Sequence, residues 1–221
     1  MPRVAAIIVA AGAGRRFGSA KQFAALKGKR LVEWSLDAFE SHPGVADIVL
    51  VLPEAELAAG LGASHPKVRA VVPGGSERQD SVRRGFARLD RGRVDIVLVH
   101  DGVRPLVGPD LISRVIDAAA STGAAAPGLA LDETIKEVDG TAILRTIDRT
   151  TLVRVQTPQG FAFAVLEEAL ASALCQDFLG TDEAMLVERL GRRVTLVPGE
   201  ARNIKVTTPL DLKLAEALLE I

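Results

Sequence analysis

The sequence predicts a doubly wound α/β fold on a mainly parallel sheet, with a β-hairpin arm, from three observations. Residues 4–10, 48–52, 68–72, 96–99 and 124–130 form short, continuous apolar runs, as strands covered on both faces do. Segments with helical spacing separate them, which is βαβ alternation. The 221 residues, 48% of them apolar, supply enough core for one large unit, so a single domain over 1–221 is expected.

The first run imitates a short signal peptide behind Arg3, but it is brief and Arg15-Arg16 follow at once, so it reads as a core strand. That strand empties into Gly12-Ala13-Gly14-Arg15-Arg16-Phe17-Gly18, with Lys21 close behind. Glycines let a backbone approach phosphate oxygens, and the three cations supply charge where a pyrophosphate would lie. The loop therefore reads as a seat for a nucleoside triphosphate, against the plainer alternative of a tight turn with solvated arginines. It is not a P-loop, since Gly28-Lys29 is followed by Arg30 and Phe23 stands where the first glycine belongs. A dinucleotide fingerprint fails too, because Phe17 takes the place of its third small residue.

Further along, residues 31–39 repeat apolar positions at helical spacing. Ser76 with Gln79 offers a capping box for a helix through Leu89, and Pro109 opens another reaching Ala120. Residues 133–150 hold two β-prone runs around Asp139-Gly140, a type I′ turn signal, and predict a hairpin. A polar two-stranded hairpin is marginal alone, so it is expected to lean on its own domain or on a second subunit. The closing helix takes Thr208 as N-cap, Pro209 at its first position, Asp211 in its first turn, and Leu210, Leu214 and Leu218 as apolar positions.

Functional groups in such folds gather at the carboxyl ends of the strands, so the loops after residues 10, 72 and 99 should converge. The second carries Gly74-Gly75-Ser76-Glu77-Arg78-Gln79-Asp80-Ser81 and the third His100-Asp101-Gly102-Val103-Arg104-Pro105. Asp101 is the best Mg²⁺ ligand candidate, since magnesium takes one or two carboxylates beside phosphate oxygens and water; its alternative is a turn cap. His42, His65 and His100 form no metal-ligand spacing, and His100 reads as structural. Asp182-Glu183 reads as ordinary acid at a helix N-terminus. Cys175, the single cysteine, is expected to be a buried inert thiol in a reducing compartment. Balanced charge, 27 basic against 28 acidic residues, gives no global field for nucleic acid, and no apolar stretch approaches the roughly 20 residues that cross a bilayer. A soluble, cytoplasmic protein is expected.

Taken in order, Ala10-Ala11-Gly12-x-Gly14-x-Arg16, Lys21-Gln22, Gly74-Gly75-x-x-Arg78-x-x-Ser81-Val82, His100-Asp101-x-x-Arg104-Pro105, Asp132-x-Thr134-x-Lys136, Asp148-Arg149, Gln156-Thr157-Pro158-Gln159, Thr181-Asp182-Glu183 and Asn203-Ile204-Lys205-Val206-Thr207 resemble the 2-C-methyl-D-erythritol 4-phosphate cytidylyltransferase family over nearly the full chain. The resemblance implies a Rossmann-like nucleotidyltransferase using CTP, 2-C-methyl-D-erythritol 4-phosphate and Mg²⁺ in isoprenoid biosynthesis. It implies catalytic roles for Arg16 and Lys21 at the α-phosphate, and nucleotide contacts from Ala10, Ala11, Gly12, Gly14, Gly75, Ser76 and Ser81. Asp101 would lie near the metal, while Arg149, Lys205, Arg104, Thr134 and Thr181 would position the acceptor. It further implies a homodimer whose hairpin arms cross, with Arg149 coming from the neighbour. Arg202 departs from the acidic or small residue frequent at its place and adds charge beside the acceptor pocket. Three other readings stay open at this point: a ribitol 5-phosphate cytidylyltransferase, a sugar-1-phosphate nucleotidyltransferase, and a non-catalytic nucleotide-binding subunit.

Overall fold

The computed structural model describes residues 2–12, 17 and 20–220. In chain order the elements are β1 (Val4–Val9), β2 (Ala25–Leu26), β3 (Lys29–Arg30), α1 (Leu31–Ser41), β4 (Val45–Leu52), β5 (Val68–Pro73), α2 (Arg78–Phe86), β6 (Ile96–Asp101), α3 (Pro109–Thr122), β7 (Ala124–Ala130), β8 (Ile135–Asp139), β9 (Ala142–Ile147), β10 (Val153–Val155), β11 (Gln159–Ala162), α4 (Phe163–Cys175), α5 (Glu183–Arg189), β12 (Thr195–Pro198) and α6 (Pro209–Leu218).

The main sheet runs β10-β7-β11-β6-β1-β4-β5, with β12 paired to β7. Strands β6, β1, β4 and β5 are parallel neighbours, and β11 enters antiparallel between β6 and β7. All five sequence-derived strands are present. Successive residues of β1 serve opposite layers, as a pleated strand requires. Val4, Ala6 and Ile8 pack with Leu36 and Phe39 of α1 and Leu111 and Val115 of α3. Ala5 and Ile7 pack with Val82 of α2, Leu166 and Leu170 of α4 and Leu186 of α5. Each fully buried Val, Leu, Ile or Phe side chain among them contributes about 1.5–3 kcal/mol. Gly85 lets α2 lie flat on the sheet, since a Cβ there would stand 2.7 Å from Ile7 Cγ2.

A third cluster, Leu26, Leu31, Leu106, Val206 and Ala215, seats α6 against β2 and the start of α1. Trp34 joins its edge, its indole Nε1–H donating to the Leu26 carbonyl at 3.0 Å.

Four local expectations need correction. Helix α2 starts at Arg78 and ends at Phe86, because Asp80, not Gln79, closes its first turn by accepting from Ser76 Oγ (2.8 Å) and the Glu77 N–H (3.4 Å). Gln79 instead reaches across to the Phe178 carbonyl and the Gly180 N–H. The hairpin turn is Gly140-Thr141 between Asp139 and Ala142, and only Gly140 has positive φ (54°), which is the II′ pattern and not I′. Thr208 caps α6 as expected, but Leu210 and Leu214 lie 73% and 48% exposed, and Ala215 takes the buried position. Cys175 is exposed at the end of α4, not buried. Among the described residues no helix is long and apolar enough to cross a membrane.

Candidate functional site

Strand β1 delivers Ala10, Ala11 and Gly12 to its carboxyl end, β5 delivers Gly74 and Gly75, and β6 ends on Asp101. These loops converge on a cavity of about 330 Å³, lined also by Lys21, Ser76, Ser81, Arg78 and Lys205. Gly74 is required by close approach: a Cβ there would stand 2.1 Å from the Cβ of Ala11, so only glycine lets the two loops touch. A Cβ on Gly75 would likewise stand 2.2 Å from Asp80 Cβ. Ser81 is buried and holds this loop in shape, its Oγ accepting from the Gly75 N–H (3.0 Å) and donating to the Glu77 carbonyl (3.1 Å). Gln22, 1% exposed, fixes the first loop by donating to the Gly12 carbonyl at 3.0 Å. Gln22 lies with Lys21 in a short 3₁₀ turn, which sets the lysine at the cavity wall.

Asp101 is the electrostatic centre. Oδ1 accepts from Arg78 Nε at 2.9 Å, Oδ2 stands 2.7 Å from Lys205 Nζ, and Arg104 Nε lies 3.8 Å away. Burial alone would push this carboxyl up, but Arg78, Lys205 and Arg104 outweigh it and hold it well below the usual carboxylate range. Arg78 is a second hub, with Nη1 bonded to both oxygens of Glu183 at 2.7 and 2.9 Å. Burial opposes the Arg78 charge, yet the two carboxylates raise its pKa above the ordinary arginine value. Burial pushes Glu183 up, with Arg78 holding it in check.

A buried polar layer backs this centre. The Asp101 N–H donates to Thr157 Oγ1 (3.1 Å), which also meets His100 Nδ1 at 3.1 Å. Arg104 Nη1 donates to the Asn203 carbonyl, and Asn203 Nδ2 to the Thr157 carbonyl. His100 is fully buried, and burial pushes its pKa down to about 3, so it is neutral at pH 7 and structural as expected. Gln159 holds the start of α5 in place through Asp182 Oδ2 and the Ala184 N–H. Asp182 is indeed the N-cap, whereas Glu183 points inward to Arg78.

Of the sequence-derived site residues, Ala10, Ala11, Gly12, Lys21, Gly75, Ser76, Ser81, Asp101 and Lys205 line the one cavity. Lys205 and Arg104 also line an adjoining cavity of about 390 Å³ with Arg154, Gln156 and Asn203. Thr134 and Arg149 sit exposed at the base of the hairpin, Arg149 donating to the Asp132 carbonyl, and Thr181 is exposed ahead of α5; none of them lines either cavity. Gly14 and Arg16 lie outside the described residues. Sequence reasoning gave no role to Arg78, Glu183 or Asn203, although the Gly74-Gly75-x-x-Arg78 spacing and the Asn203-Ile204-Lys205 block contained the signal.

Among the described residues no three His, Cys, Asp or Glu side chains cluster as a protein-only metal site. An ionised, single hard-oxygen donor on a cavity wall suits a magnesium ion whose remaining ligands are phosphate oxygens and water.

The family model for 2-C-methyl-D-erythritol 4-phosphate cytidylyltransferase (IspD) matches residues 4–221. The enzyme of that name from Syntrophotalea carbinolica is 44% identical over 221 residues, covering 97% of this chain and 95% of the relative. That of Geobacillus thermodenitrificans is 44% identical over 220 residues, covering 97% and 96%. Among solved structures, 2-C-methyl-D-erythritol 4-phosphate cytidylyltransferase from Thermus thermophilus superposes with TM-score 0.81 at 37% identity, covering 97% of this chain and 98% of that one. The 4-diphosphocytidyl-2C-methyl-D-erythritol synthase of Anaerococcus prevotii gives 0.87 at 29% identity, covering 100% and 99%.

Proposed function

The chain belongs to the 2-C-methyl-D-erythritol 4-phosphate cytidylyltransferase family, and on that premise we propose how its residues divide the work. The reaction transfers CMP from CTP to 2-C-methyl-D-erythritol 4-phosphate in isoprenoid biosynthesis, giving 4-diphosphocytidyl-2-C-methyl-D-erythritol and pyrophosphate. An oxygen of the acceptor phosphate bonds to the α-phosphorus of CTP, and the bond from that phosphorus to the oxygen bridging to the β-phosphate breaks. Pyrophosphate leaves with the electron pair.

A phosphate monoester has its second pKa near 6, so the attacking oxygen is largely unprotonated at pH 7 and needs no base. The neutral, walled-in His100 and the Arg78-bound Glu183 agree with that chemistry. Catalysis then rests on positioning and charge stabilisation. Lys21 and Arg16 stabilise charge at the α-phosphate. Ala10, Ala11, Gly12, Gly14, Gly75, Ser76 and Ser81 form the nucleotide seat, with Ser81 acting by fixing Gly75. Asp101 would hold Mg²⁺, which when bound neutralises phosphate charge and aligns the triphosphate. Lys205, which lines both cavities, and Arg104, which lines the adjoining one, orient the acceptor together with Thr134, Thr181 and Arg149. The hairpin serves as the dimerisation arm of one nucleotidyltransferase unit, working in the cytoplasm without membrane or nucleic acid. What supports these roles is the convergence of nine sequence-selected residues, from five separate segments, on one cavity at the carboxyl edge of the sheet. The arm carries the exposed apolar residues Val138, Ile143 and Leu144, 58–65% open, as a surface awaiting a partner would.

Subunit mixing tests the shared site. Lys21→Ala and Arg149→Ala chains, each nearly inactive alone, should regain about one quarter of wild-type pyrophosphate release when unfolded and refolded together at equal amounts, since half the dimers then hold one intact site of two. No recovery would place Arg149 in its own subunit's site or remove it from the chemistry.

A further inference from the structure

At the opposite, amino-terminal edge of the sheet lies a separate cavity of about 380 Å³. Its rim carries four arginines, Arg3, Arg69, Arg88 and Arg93, against two carboxylates, Asp47 and Asp90. Arg3 and Arg69 share Asp47: Arg3 Nη2 stands 3.0 Å from Oδ2 and Arg69 Nε 2.8 Å from Oδ1. Asp90 accepts from the Gly92 N–H. Among the described residues, no hydrogen bond or ion pair engages the side chain of Arg88 or Arg93, and neither is needed to finish α2. The carbonyls at that helix end already accept backbone N–H groups from Ala87, Arg88 and Leu89. Two guanidiniums are therefore left facing a concave surface whose counted charge, four positive and two negative, is a surplus of two. The floor is apolar, with Val49 and Val94 1% and 5% exposed.

We propose that this cavity binds a small multivalent anion of the oligophosphate class, clamped by Arg88 and Arg93 with Arg3 and Arg69 beside them. Guanidinium forks match phosphate oxygens in pairs, and a cleft with surplus positive charge over a low-dielectric floor concentrates anions. The site lies across the sheet from Asp101 and shares no lining residue with the nucleotide cavity. It does not depend on the catalytic roles proposed above.

Inorganic diphosphate is the probe, titrated calorimetrically into the full chain without other substrates. The expected result is two sites per chain, one removed by Lys21→Ala and the other by the pair Arg88→Glu and Arg93→Glu. That double variant changes side chains without structural partners, so it should fold and turn over substrate as wild type. The neutral pair Arg88→Gln and Arg93→Gln should lose the same site. Diphosphate should bind there about tenfold or more tighter than sulfate, because it carries more charge to the same guanidiniums. Diphosphate binding unchanged in both double variants, or sulfate competing at equal strength, overturns the proposal.

Discussion

Asp101 and Asp47 are two carboxylates at opposite ends of neighbouring parts of one sheet, and each gathers arginines, yet they do different things. Asp47 lies near the start of β4 and binds Arg3, just ahead of β1, and Arg69, on β5. Those partners are 38% and 62% exposed, and the bonds tie three adjacent strand starts together. Asp101 has an 8% exposed side chain, and its partners arrive from α2, from the loop after β6 and from the segment before α6. Its own N–H is fixed by Thr157, and Arg78 is fixed in turn by Glu183. A clamp between neighbouring strands needs none of that second layer. A carboxylate held ionised under heavy burial, on a cavity wall, by the nearby Arg104 and by two cations from distant segments, is arranged for a ligand.

The comparison can be broken most directly at Asp101. Asp101→Asn should lower kcat/KM by about 10²–10³, since it removes the carboxylate that Arg78, Lys205 and Arg104 share. It should also lower stability by about 3 kcal/mol in urea unfolding, because breaking a buried pair strands its partners. Wild-type turnover would reduce Asp101 to the same kind of clamp as Asp47. Lys21→Ala should cut kcat by about 10², read as pyrophosphate release at saturating substrates, and unchanged kcat would remove Lys21 from the chemistry.

A pH series sharpens the contrast in the layer behind Asp101. Folded His100 takes a proton only near pH 3, whereas the unfolded imidazole titrates near 6.5. Between those values the unfolded chain holds more protons, so stability falls as pH drops from 6.5 toward 3. His100→Gln should flatten that slope, whatever it does to absolute stability, and an unchanged slope would remove His100 from the account. The smallest effect belongs to Asp47→Asn: a loss of about 1 kcal/mol, lessened further by salt, with turnover within about twofold. A large activity loss there would mean that the two ends of the sheet are coupled.

Much of this molecule was legible before its structure, and the reason is periodicity. Five apolar runs gave β1, β4, β5, β6 and β7, because a strand covered on both faces is largely apolar, while β12, parallel to β7, gave no such run. Strand β11 escaped, since Gln159-Gly160-Phe161-Ala162 has neither alternation nor a β-branched residue and is a strand only because β6 and β7 pair with both its edges. The site loops were legible from their glycines and charges, but neither Arg78 nor Glu183 was placed in the site. Their ion pair spans 105 positions in sequence, and nothing local distinguishes it from two surface charges. Glu183 also sits beside Asp182, an authentic helix cap, and was read as the same kind of residue. The II′ turn was misjudged for a different reason: Asp139-Gly140 is a strong local signal, but strand pairing shifted the turn by one residue.

Trp34 gives the nucleotide loop an optical reporter. It is the sole tryptophan in a chain with no tyrosine, so intrinsic emission excited at the indole band comes from one position. That indole is bonded to the Leu26 carbonyl, three residues past the 3₁₀ turn that carries Lys21, and has Lys29 Nζ 5.2 Å from its ring centroid. Any rearrangement of this segment when CTP arrives changes the field and the water around the ring. Its emission wavelength can then be followed through rapid mixing with no label attached, which turns nucleotide capture into an event with its own clock, separate from turnover.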